Sequence, residues 1–231
     1  MHRSPLPYRV LVGAATLAAM ILLWTGSAIH YGQGDSSDPV ALIADVRDHG
    51  PAIAAKALTD IASMLCFVLA AIGLAATVRG RGRTFTLTVA VLTALGVPSH
   101  VLGASFMLTL IKVDAAELPD AEQTRVVSEL VGLQNLYFIG LVPFLLAMLL
   151  LPAALWRARI VSWIPLSLLA VDLVIIGRFT DSTTPSSPIW WIDPIVTVVA
   201  YGWLAVGIMR YRPVDHEAPI ATPATPEPVT T

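Results

Sequence analysis

The sequence predicts an all-α membrane bundle of six transmembrane helices with short helices in its outer loops. Three observations carry that expectation. Of the 231 residues, 56% are hydrophobic and 13% charged, against roughly 25% charged in soluble domains, and the mean hydropathy is +0.74. The apolar residues come in unbroken runs of about 20, the length at which a helix crosses a hydrocarbon core about 30 Å thick. A barrel would instead show ten-residue alternating segments. The basic residues fall in every second gap between the runs, as cytoplasmic loops require.

The expected spans cover residues 10–29, 57–78, 84–111, 130–156, 160–177 and 189–209, within one membrane domain over 1–212. The first follows "MHRSPLPYR" and has the outline of a signal peptide. Its uncharged core exceeds the roughly 7–15 residues of a secretory apolar region, so it is read as a retained helix. Between the first two spans, "SSDPVALIADVRDHGP" brackets a short helix: Asp38 as N-cap, Pro39 in the first turn, Gly50 and Pro51 at the exit. Val40, Ile43 and Val46 give it an apolar stripe that can lie on the bilayer or over the bundle. The third and fourth spans are longer than a bilayer needs, so they tilt, bend at Pro98 and Pro143, or project beyond it. A second outer helix begins at "LPDAEQTRVV" and leads into the fourth span. Residues 213–231 are proline-rich and poor in bulky apolar side chains, which predicts a disordered cytoplasmic tail.

Charge orients the bundle. Arg3, Arg9, Arg79, Arg81, Arg83, Arg157, Arg159, Arg210 and Arg212 share one side, and the two short loops there hold no acid. Asp35, Asp38, Asp45, Asp48, Asp114, Glu117, Asp120, Glu122 and Glu129 occupy the other. Both termini are therefore expected in the cytoplasm. Tyr31, Trp190 and Trp191 mark the outer interface, and Tyr8, Trp156, Trp163, Trp203 and Tyr211 the inner one.

The arginine-flanked first span, the outer "GDSSDPVALIADVRDHG", the "RGRGR" loop and the "LLLPAALWRARIVSWIPL" hinge resemble the uncharacterised small multi-helix membrane proteins common in actinobacteria, grouped as domains of unknown function. The resemblance covers residues 8 to about 180. It implies an integral membrane protein of five or six helices and brings no active site with it.

Ionisable residues inside the spans are the functional candidates, because a charge at mid-bilayer costs about 2.5–3.5 kcal/mol unless it is partnered. Asp172 lies about 20 Å along the helix from Arg159, and His100 about 26 Å from Arg83 on a helix expected to bend at Pro98. They form a candidate central pair that could share a mobile proton. The alternative is that Asp172 stays protonated and hydrogen-bonds a neighbouring helix. Asp60, Arg178 and His30 lie about 30 Å from the basic side, with Gln134 and Asn135 near the outer end of the fourth span. Lys56 and Asp60, four apart, can pair on one helix face, and so can Arg178 and Asp181, three apart. These residues either sit singly at the interface or converge into an outward-facing polar vestibule.

Several chemistries find no footing in the sequence. Cys66 is the sole cysteine, so intrachain disulfides and multi-cysteine metal sites are excluded, and it reads as a small buried hydrophobe. No HExxH, Walker A, GxSxG or Rossmann glycine pattern occurs. Ser99 and His100 are adjacent, which on a helix points them about 100° apart. His30 and His100 differ in depth, against a bis-histidine haem. The net charge of -2 gives no basic excess for nucleic acid. The sequence thus points to a non-enzymatic membrane protein without cofactor or metal, whose partner is the lipid bilayer. It would bind or sense a small ligand or couple transport to protons. A structural or accessory role beside a partner subunit or in an oligomer is the second reading. A haem or quinone electron carrier is the third.

Overall fold

Caps, prolines and left-handed backbone at Gly80 and Arg159 divide the described residues into six helices. The computed structural model describes residues 6–29, 38–78, 80–116, 118–179 and 188–211, and among them there is no strand. The helices are α1 (Leu6–Ile29), α2 (Pro39–Thr77), α3 (Arg83–Ala115), α4 (Asp120–Arg157), α5 (Ile164–Phe179) and α6 (Ile192–Arg210), with 3-10 turns at Gly80–Gly82 and Pro188–Trp191.

Among the described residues five stretches are long and apolar enough to cross a membrane: Pro7–Ile29, α2, α3, Ile139–Arg157 within α4, and α6. Their outward faces suit lipid. On α2, Leu58, Leu65 and Ile72, seven residues apart along one face, are each 60% exposed. Water would penalise such a stripe, whereas acyl chains solvate it at no cost. The chain is therefore a multi-pass membrane protein.

The fifth expected span differs. Apolarity alone places a helix over 160–177, but the helix begins at Ile164 and has 16 residues, about 24 Å against a core of about 30 Å. The cause is local. Arg159 adopts φ 56, its N–H reaches the Trp156 carbonyl at 2.9 Å, and the Ile160 N–H reaches Leu155 at 2.9 Å. That is a Schellman cap, which turns the chain before Pro165 opens the next helix in its first turn. A non-glycine residue held left-handed costs about 1 kcal/mol. Arg159→Gly should accordingly raise the Tm of the detergent-solubilised protein; a lowered Tm would show that the arginine side chain stabilises the hinge by more than its backbone costs.

Neighbouring helices run antiparallel. α2 packs between α1 and α3, α4 lies along α3, α6 closes against α1, and α5 leans on α6. The two ends of the bundle are opposite in character. At the basic end Arg9 donates to the Tyr211 carbonyl, Gly82 abuts Ala158 and Gly207 abuts Val161, which gathers Arg9, Arg83, Arg157, Arg159 and Arg210. The acidic end carries Asp38, Asp45, Asp48, Asp114, Asp120 and Glu122. Because α4 and α6 both finish at the basic end, α5 carries the chain back toward the acidic one.

At the acidic end the helices extend past the apolar stretch. Asp38 caps α2 by accepting from the Val40 N–H at 2.9 Å, and the helix kinks at His49 (φ -125, ψ 16) just before Pro51, where the bracketed outer helix was expected to end. Its buried face differs from the expected stripe: Val40 is 62% exposed, while Leu42 and Val46 are buried and Ile43 partly so. A spacing of four, not three, keeps side chains on one helix face over this length. Leu42 and Val46 pack with Ile53, Phe106, Leu110 and Val127 into a second apolar cluster, with Arg47 and Asp114 paired across it at 3.3 Å. The outer helix thus lies on α3 and α4, and α4 runs unbroken from Asp120 as expected. α3 and α4 pass through Pro98, Pro143 and Pro152 as continuous helices.

Candidate functional site

Three rings from three helices meet on the bundle axis. Phe67 of α2 stands edge-on to Phe144 of α4, centroids 5.0 Å apart, and to Tyr201 of α6 at 6.4 Å. All three are buried, and the Tyr201 hydroxyl donates to the Met148 carbonyl at 3.0 Å. A phenol buried this deeply needs such an acceptor, and the bond ties α6 to α4. Beside the rings an enclosed cavity of about 10 Å³, lined by Thr16, Val89 and Met148 among others, has room for about one water.

Polar groups stack on the acidic side of this layer, one turn or more beyond each ring. Ser63, four residues before Phe67, donates to the Ala19 carbonyl at 2.7 Å. His100 lies against Phe144, ring centroids 4.3 Å apart, with Nδ1 3.4 Å from the Gly96 carbonyl. Thr197, four residues before Tyr201, faces two carboxylates. Its Oγ1 is 3.2 Å from Asp172 Oδ2 on α5 and 3.0 Å from Asp193 Oδ1 on its own helix. A hydroxyl has one proton, so it donates to one of them at a time. Asp172 is 3% exposed, its Oδ1 is buried with no hydrogen-bond partner, and it shares the Thr197 hydroxyl with the Asp193 carboxyl.

A second polar group lies between α1 and α2. Lys56 Nζ donates to Asp60 Oδ2 at 2.8 Å, the pairing expected from their spacing. Asp60 Oδ1 is buried without a partner against Gly26, where an added Cβ would come 2.8 Å from that oxygen and 2.6 Å from Thr59 Oγ1. Only glycine lets α1 approach the carboxylate so closely. Beyond it, Trp24 packs edge-on to Trp190 with centroids 6.0 Å apart.

The expected central pair divides between these groups. Among the described residues, Asp60 and Lys56 of α2 are charges that act on His100, whereas Asp172 meets Thr197 of α6, which also faces Asp193. α3 and α5 stand on different sides of the ring of helices, which is why matched depth did not make them neighbours. His30 lies outside the described residues, as do the side chains of Gln134, Asn135 and Arg178. Asp193 and Thr197 are absent from the candidates chosen by sequence. As the second residue of a helix that follows Trp190 and Trp191, Asp193 reads as an interfacial acid favoured by the helix dipole. The available signal was its spacing of four from Thr197, which sets both on one face of α6.

Among the described residues no three His, Cys, Asp or Glu side chains converge on a metal-sized site. Cys66 is partly buried against the core and packs as a small hydrophobe. No curated protein and no solved structure matches the chain. Residues 11–208, all six helices but their outermost turns, match a family defined by its sequences, and the chain belongs to it: DUF4386, a domain of unknown function.

Proposed function

We propose that this is a non-enzymatic membrane protein of the bacterial plasma membrane whose outward-facing half binds or senses a small ligand or a proton. In this reading the chain crosses six times, α5 being a short sixth span, and both termini are cytoplasmic. The gathering of arginines at the end where α1 begins and α6 finishes supports that orientation. The acidic end then faces outward.

One observation carries the functional reading. Two groups of polar side chains, Asp60 with His100 and Asp172 with Asp193 and Thr197, stand on the outer side of the Phe67, Phe144 and Tyr201 layer. Towards the basic end the core is mainly Val, Leu and Ala, with hydroxyls such as Thr16 and Thr77 bonded back to their own helices. Groups this costly to bury, collected on one side of an apolar plug, suit access from the outside and no continuous pore. Close approaches at Gly13, Gly73, Gly96, Gly140 and Gly207 are made to other helices or turns of the same protein. The described histidines, His49 near the acidic end and His100 deeper, give no facing pair for a haem.

Thiol labelling tests the reading. In a Cys66→Ala background reconstituted in vesicles of known orientation, Asp193→Cys should react with a membrane-impermeant maleimide from the outer face. Leu204→Cys, beyond the aromatic layer, should react from neither face. Labelling of Leu204→Cys from the cytoplasmic side, or failure of Asp193→Cys to label from outside, would overturn it.

A further inference from the structure

Counting hydrogens at Thr197 exposes a deficit. Asp172 Oδ2 and Asp193 Oδ1 both face its Oγ1, at 3.2 and 3.0 Å, and the one hydroxyl proton can serve only one of them. Asp172 Oδ1 has no partner at all, although the residue is 3% exposed. An unmet buried carboxylate oxygen is among the costliest groups a protein can hold.

Among the described residues no cation is paired with either carboxyl. α6 supplies Asp193 and no basic residue before Arg210, and α4 carries no charged residue from 130 to 156, its one titratable group there being Tyr137. From Ile164 to Gly177 α5 carries no charged residue besides Asp172. Lys56 is engaged with Asp60 on α2.

We propose that Asp172 and Asp193 hold one proton between them, donated from one carboxyl to the other and steadied by Thr197, as the proton-binding site of the outer half. One added hydrogen satisfies the orphan oxygen and removes one of two adjacent negative charges. Two carboxylates gathered on one hydroxyl disfavour each other's ionised form, as in the dyads of acid proteases. A hard metal cation would want six or more oxygens, and this buried trio offers fewer. The inference rests on the outward-facing reading for the route by which the proton enters.

Infrared difference spectroscopy on the full chain in liposomes tests it. The wild type near neutral pH should show a protonated-carboxyl C=O band that shifts in D₂O. Asp172→Asn and Asp193→Asn should each abolish it, since an amide donates the hydrogen and leaves the remaining carboxyl ionised. Thr197→Val should keep the band and move its frequency. Absence of the band in the wild type overturns the proposal without recourse to any variant. So does its persistence in Asp193→Asn, which would assign the proton to Asp172 alone, or its loss on adding sodium at fixed pH. A band present while Asp193→Cys resists labelling would leave the pair standing and remove only the outward route.

Discussion

Phe144→Ala is expected to destabilise the bundle by about 3–5 kcal/mol and at the same time to open its axis. The ring is 2% exposed, stands edge-on to Phe67 at 5.0 Å and supports the His100 imidazole at 4.3 Å, so truncation removes contacts on three sides. Loss of an aromatic pair adds to the cavity cost. Stability is read from reversible unfolding in mixed micelles, and opening from Leu204→Cys in the same protein, which should become reactive from the outer face. Phe144→Leu should recover part of the stability and keep Leu204→Cys protected. If Phe144→Ala unfolds the protein, the leucine variant still decides whether volume on the axis sets access. A destabilised Phe144→Ala with Leu204→Cys still unreactive would show that the layer packs the core without closing a path.

Gly96→Val should prevent the native pairing of α3 with α4. A Cβ at this position would lie 2.6 Å from Phe144 Cβ, 2.8 Å from its nitrogen and 2.9 Å from its Cα. Two of those are backbone atoms of a continuous helix, so relief requires moving α4 as a body. Overpacking commonly costs about 1–3 kcal/mol, and clashes with backbone belong above that range. The expected result is loss of monodisperse folded protein on size-exclusion chromatography. Gly202→Ala is the control. Its Cβ meets only Leu17 Cδ1 at 3.8 Å, so the change should be neutral or stabilising by about 0.5–1 kcal/mol, from better helix propensity. Equal damage from both would mean that glycine matters here through flexibility and not through close approach.

How far the sequence could be read follows from which forces act locally. Helix positions, the Asp38 cap, the break at His49 and Pro51, and the unbroken run from Asp120 into α4 all depend on neighbours in sequence. The start of α5 was misjudged because apolarity counts residues 160–163 as span, whereas Arg159 turns the chain there through backbone geometry that composition does not register. The outer helix buries Leu42 and Val46 instead of Val40 because α3 and α4, not the membrane surface, decide which side is covered. At the site, depth along a helix follows from residue counts, and Asp172 was found that way. Its partner was not, since depth says nothing about which helix stands alongside. α5 leans on α6, and that placed Asp193 and Thr197, not His100, beside the carboxyl.

The position of the carboxyl pair along the bundle normal has an electrical consequence. Thr197 lies five residues into α6, about 8 Å from its outer end and so about a quarter of the way across a 30 Å core. A proton entering from outside to that level falls through about a quarter of the membrane potential, which at about 2.3 kcal/mol per 100 mV is about 0.6 kcal/mol. An energised, inside-negative cell would on that reading fill the site about threefold more readily than a depolarised one at the same external acidity, so occupancy would report both components of the proton-motive force.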